Sequence, residues 1–137
     1  MKRSVFIFIA LVATCATSLG DDRDAEQLFV RRILPLLHEK CIACHGGDPE
    51  NVEGSLDLTT ERGALKGGDS EEPAIVRQHP EQSPLLLAVS RQSDDWSAMP
   101  PKEAEKLTDE QIEWIREWLA AGVDFGPLAH PSCWYAQ

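Results

Sequence analysis

Positive charge, aromatic side chains and long apolar runs are all scarce in this chain of 137 residues. Thirteen Lys and Arg stand against 23 Asp and Glu, a net charge of -10. That is the wrong sign for a protein that gains affinity by neutralising phosphates, so nucleic acid is excluded as a partner. Aromatic residues make up 7%, and no apolar run reaches the ~18–20 residues of a membrane span. The length fits one globular domain.

The first twenty residues read as a secretory signal. Lys2 and Arg3 form a positive start, Val5 to Val12 an apolar core, and the small residues around Ala16 and Gly20 offer cleavage points. A lipoprotein signal with Cys15 as the lipidated residue is the alternative, although Thr14 before the Cys suits it poorly. Either way the chain is expected to be exported, in the periplasm, with residues 1–20 as signal, 21–125 as folded domain and 126–137 as an irregular tail. That tail holds Pro127, Pro131 and an unpaired Cys133 whose role the sequence leaves open.

Four cysteines in an exported chain would first suggest two disulfides. The spacing argues otherwise, because Cys41-Ile42-Ala43-Cys44-His45 is the c-type haem attachment sequence. Two thiols three positions apart fall on one face of a helical turn and can reach the two vinyl groups of a haem. His45 then lies under the iron as proximal ligand, in the neutral form, with its second ring nitrogen donating to a backbone carbonyl. A structural zinc site would need a second Cys or His pair, and His79, His130 and Cys133 are scattered. A thioredoxin-like dithiol should follow a strand, whereas this motif follows a helical pattern. A disulfide turn with an incidental His would leave Met99 and its prolines unexplained.

A distal ligand must come from elsewhere, and Met99 is the one methionine besides Met1. It precedes Pro100-Pro101, which fix φ and should hold the segment extended and stiff. A Met used as core filler is the competing reading. His38 and His130 are weaker candidates; His79 would give a bis-His site, and a vacant position would suit small-molecule binding.

The scaffold reads as helical. A first helix begins near Asp24 as N-cap and carries Leu28, Phe29, Ile33, Leu36 and Leu37 as an apolar stripe, with Pro35 kinking or dividing it. Residues 46–80 are rich in Gly and Pro and read as loops around a short helix from Thr60 to Leu65. Ser83 as N-cap and Pro84 open another short helix whose leucines should cover the haem. The last helix has a Thr108/Gln111 capping box, a Leu107–Ile112 staple and Gly122 at its end.

Taken in order, these features resemble a class I cytochrome c. More narrowly, Ile33-Leu34-Pro35-Leu36-Leu37, Cys44-His45-Gly46, Gly54-Ser55-Leu56-Asp57-Leu58, Lys66-Gly67-Gly68-Asp69-Ser70, Pro73-Ala74-Ile75-Val76, Met99-Pro100-Pro101 and Leu107-Thr108-Asp109-Glu110-Gln111 resemble the planctomycete-type cytochrome c domain over residues 26–125. The resemblance implies an all-α fold of three to five helices wrapped around one covalent haem c. It implies thioethers at Cys41 and Cys44, and His45 and Met99 as iron ligands.

With both axial positions filled, the expected function is single-electron transfer between redox partners rather than catalysis. The potential should be positive, tempered by the acidic surface. Clusters such as Asp69, Glu71 and Glu72, or Asp94 and Asp95, would meet a basic docking face, although an ordinary solvated surface is the plainer reading. Proteins of this family usually continue into long C-terminal regions, so the alternative is an electron-transfer or sensing module cut from a larger multidomain protein. No second attachment motif is present for a di-haem peroxidase.

Overall fold

The computed structural model describes residues 21–125 apart from Gly47 and Pro49, and side chains from Asp24 onward. The signal segment, Cys15, His130, Cys133 and the tail lie outside the described residues. Among the described residues the protein is helical and has no strand, as the all-α expectation requires.

Helices α1 (Asp21–Leu28) and α2 (Leu34–Lys40) are joined by a five-residue π-helical turn, Phe29–Ile33. The helix already runs at Asp21, three residues before the expected cap at Asp24. Asp24 lies in its first turn, where a carboxylate favours the positive end of the helix dipole. Pro35 divides the helix as expected, and the π turn is the means. Pro35 lacks an N–H and its ring would collide with the carbonyl four residues back. The preceding turn widens instead, and the Leu34 N–H donates to Phe29 O, five residues back.

Helix α3 (Glu61–Lys66) is capped by Thr60, whose hydroxyl accepts from Gly63 N–H. Helix α4 (Pro84–Ser90) starts at the expected Ser83. The Ser83 side chain does not cap it, however. Fully buried, its hydroxyl accepts from Val76 N–H at 2.9 Å and faces the carbonyls of Val76 and His79 at 3.1 and 3.3 Å. The burial of Ser83 among loop carbonyls explains the difference: an unsatisfied loop amide there would cost more than an uncapped amide at the helix end.

Helix α5 (Asp109–Ala120) has both halves of its capping box, Gln111 N–H to Thr108 Oγ1 at 3.2 Å and Thr108 N–H to Gln111 Oε1 at 2.9 Å. It ends in a Schellman arrangement: Gly122, at φ +97°, donates to Leu119 O, and buried Val123 donates to Trp118 O. Helix α5 packs on α1, on the π turn and on α4. Its Trp118 is fully buried, with ring centroids 5.7 Å from Phe29 and 5.2 Å from Phe125. The Trp118 Nε1–H donates to Asp124 O at 2.9 Å, so the indole's polar edge is satisfied. Trp114 is half-buried, 4.6 Å beneath the Arg32 guanidinium. Both tryptophans are thus accounted for by packing.

Candidate functional site

Helix α2 ends at Lys40 and delivers the chain directly to Cys41. The Cys41 and Ile42 N–H groups both donate to Leu37 O at 2.9 Å, and Cys44 and His45 N–H donate to Cys41 O at 3.2 and 2.8 Å. Ile42 is buried in the core, Cys41 is half-buried against it, and Ala43 and Cys44 are exposed. The buried Ile42 anchors the turn from inside while both thiols remain free.

His45 is tethered at three points. Its N–H is bonded to Cys41 O, its own carbonyl accepts from Leu58 N–H at 2.9 Å, and its ring Nδ1 lies 3.1 Å from Glu53 O. A carbonyl oxygen only accepts, so Nδ1 donates there and Nε2 is the ring nitrogen left for a metal. That is the ring orientation an iron ligand needs, and the carbonyl expected from the sequence is that of Glu53.

Glu53 belongs to a 3-10 turn, Glu53–Ser55, whose own N–H donates to Cys44 O at 2.8 Å. Behind the turn lies Gly67-Gly68-Asp69. Asp69 N–H donates to Gly54 O at 2.8 Å, and a Cβ on Gly68 would fall 2.1 Å from that same oxygen. The paired glycines therefore allow one backbone to lie directly on another and buttress the turn that holds the His45 ring. The pattern in residues 66–70 was visible in the sequence; its link to His45 was not, because it runs through backbone atoms.

A second support comes from Asp57, whose carboxylate accepts from Thr59 N–H at 2.8 Å, from the Thr59 hydroxyl at 2.5 Å and from the Thr60 hydroxyl at 3.1 Å. This local turn fixes the segment that bonds back to His45 O through Leu58 N–H.

Burial, followed by the neighbouring Cys44, pushes the Cys41 thiol up to about 12, against the smaller opposing effect of Lys40. A redox-active dithiol works through a thiol pushed the other way, so the environment of Cys41 does not favour disulfide exchange. Among the described residues, no three His, Cys, Asp or Glu side chains cluster as a metal site.

Met99 lies on the loop after α4, half-buried against the same core that Cys41 flanks. Residues 99–102 form a bend with a cis Met99–Pro100 peptide, and not the extended segment expected from the two prolines. The Arg91 side chain holds the bend from inside, on the carbonyls of Pro100 and Lys102. His79 is exposed on a separate loop tied through Gln78 N–H to Leu119 O, and His38 is half-buried on α2. The surface grooves lined by Thr60 to Lys66, and by Ala25, Arg77 and Gly122, contain none of the candidate ligands.

The donor set fits a covalent haem: two free thiols on one turn, an oriented imidazole beside them, and a thioether at the edge of the shared core. A helical protein carrying a c-type attachment sequence is the class these features define. Residues 41–103 match the family model described as planctomycete cytochrome C, which bears out the resemblance drawn from the motifs. A cytochrome c domain of this kind implies haem-based electron transfer. The match covers the attachment motif, the buttressing glycines and the Met99 loop, and leaves α1, α2 and α5 outside. No curated protein and no solved structure matches the chain. No described helix is long and apolar enough to cross a membrane.

Proposed function

We propose that the protein is an exported mono-haem c-type cytochrome that passes single electrons between redox partners. Cys41 and Cys44 hold the haem through thioethers, His45 Nε2 is the proximal ligand and Met99 Sδ the distal one. Residues 1–20 serve as the export signal, 21–125 as the haem domain and 126–137 as a tail.

The observation that carries this reading is the His45 ring bonded through Nδ1 to Glu53 O, one residue beyond two free cysteines. When bound, a haem c supplies an Fe(III)/Fe(II) couple. The protein's part is to orient the imidazole, to offer a thioether from a restrained loop and to keep water from the core side. A strong-field His/Met pair limits rearrangement on reduction, and Met ligation raises the potential. Asp69, Glu71, Glu72, Asp94 and Asp95 are exposed, and none of them takes part in an ion pair among the described residues. They offer negative charge to a basic docking face.

The test is a redox optical spectrum of protein produced with a cytochrome c maturation system. Haem retained on a denaturing gel, a low-spin reduced spectrum, and a long-wavelength sulfur-to-iron band lost in Met99→Ala are expected. Haem without that band would reject Met99 and turn attention to His79, and no covalent haem would reject the proposal outright.

A further inference from the structure

The Met99 loop is held at both ends by the last turn of α4. Before the bend, Met99 N–H donates to Ala88 O at 3.1 Å, and the same oxygen accepts from Arg91 N–H at 3.3 Å. After it, the Arg91 guanidinium donates through Nη2 to Pro100 O and, at 3.3 Å, to Lys102 O, while Nη1 reaches Glu103 Oε2 at 2.7 Å. Three successive anchors beyond Met99 thus converge on one side chain.

Arg91 is placed for this by an unusual backbone. It ends α4 in the left-handed region at φ +57° and ψ +29°, a conformation uncommon for non-glycine residues. Its side chain is only 22% exposed, and its Nε is buried without a partner. A buried donor is left unsatisfied so that the two outer nitrogens can reach the loop. A lysine could pair with Glu103 but would not present a planar fork to two carbonyls and a carboxylate together.

We infer that Arg91 is a positioning residue that fixes the Met99 thioether as a sixth ligand by clamping Pro100 and Lys102 to the end of α4. This rests on the proposed role of Met99. Loosening the clamp would raise the fraction of molecules in which the sixth position is open, while leaving the attachment at Cys41, Cys44 and His45 intact.

The open fraction can be read by titrating imidazole into the oxidised, haem-loaded protein, since the apparent affinity of a competing ligand rises in proportion to that fraction. Arg91→Ala is expected to bind imidazole about tenfold tighter than wild type and to show a weakened sulfur-to-iron band. Arg91→Lys should fall between the two, and Glu103→Gln, which keeps both carbonyl contacts, within about twofold of wild type. Arg116→Ala, which loses exposed pairs with Glu81 in the Pro80–Gln82 turn and with Glu113 on α5, controls for general loss of stability and should leave imidazole affinity unchanged.

Imidazole affinity in Arg91→Ala within twofold of wild type would overturn the inference, as would equal tightening in Arg116→Ala. If Arg91→Ala fails to carry haem, Arg91→Lys decides, and tightening beyond twofold supports the role. Failure of both where Met99→Ala matures normally would make Arg91 a folding residue and overturn it. Failure of the Met99 reading itself is distinguishable, because the wild type would then lack the band and Met99→Ala would gain no imidazole affinity.

Discussion

A Cβ on Gly46 would lie 2.4 Å from Thr59 Cγ2, so the residue immediately after His45 has no room for a side chain. Its φ of +138° adds a backbone conformation closed to L side chains. Gly46→Ala should therefore destabilise the protein by about 2 kcal/mol or more, through a clash on the very segment that fixes His45 O. Thermal melts of the haem-loaded variant would show it, together with a disturbed low-spin spectrum. A melting temperature equal to wild type would contradict the contact.

The two glycines on either side of the buttress should differ sharply. A Cβ on Gly68 meets Gly54 O at 2.1 Å, whereas one on Gly54 meets nothing within 4 Å and suffers only from φ +61°. Gly54→Ala should cost about 1 kcal/mol. Gly68→Ala should cost more, and because the turn moves Glu53 O it should also shift the reduction potential. Potentiometry on the pair separates the effects, and equal potentials in both variants would argue against a link to the His45 ring.

In the haem-free chain the two cysteines should react at different rates. Cys44 is exposed and Cys41 is shielded with its thiol raised to about 12, so at pH 8 an alkylating reagent should modify Cys44 at least about tenfold faster. The raised value also makes folding favour the neutral thiol. That contribution is complete below the ordinary value of 9.0 and is lost as pH rises toward about 12. Urea melts at pH 7.5 and 10.5 should show a fall that shrinks in Cys41→Ala, and an unchanged midpoint would refute the burial.

Removing the α5 cap should weaken the fold without touching the haem. Thr108→Ala loses the bond to Gln111 N–H and should cost about 1 kcal/mol, near 4–8 °C in melting temperature, with the optical spectrum unaltered. Trp118→Ala empties the Phe29–Phe125 cluster and should cost about 3–5 kcal/mol.

Electron exchange with a basic partner should slow as salt is added, because the exposed carboxylates act over a Debye length of about 8 Å at physiological ionic strength. Stopped-flow rates against ionic strength measure this directly. A rate independent of salt would leave the acidic clusters without a docking role.

What could be read from the sequence was local. The haem motif and the Thr108/Gln111 box depend on residues three or four apart, and helix geometry brings those together in any context, whereas the short helix expected from Thr60 runs Glu61–Lys66 with Thr60 as its cap. Ser83 shows the limit: its cap position was legible, but its partners Val76 and His79 lie in a loop whose path no periodicity records. Arg91 was invisible for the same reason, since an arginine after a short helix has no signature until the Met99 loop folds over it. The Met99 bend escaped because prolines constrain their own φ and leave the turn to tertiary contacts.

The π turn at Phe29–Ile33 amounts to one residue inserted into an otherwise regular helix. Each residue turns an α-helix by about 100°, so excising one of the exposed members, Val30 or Arg31, would remove the extra residue and re-aim everything downstream. Leu36 and Leu37 would rotate out of the core, and the Cys41–His45 segment with them. The direction in which the two thiols face is thus set eight to twelve residues upstream of Cys41, by a length and not by any side chain at the site.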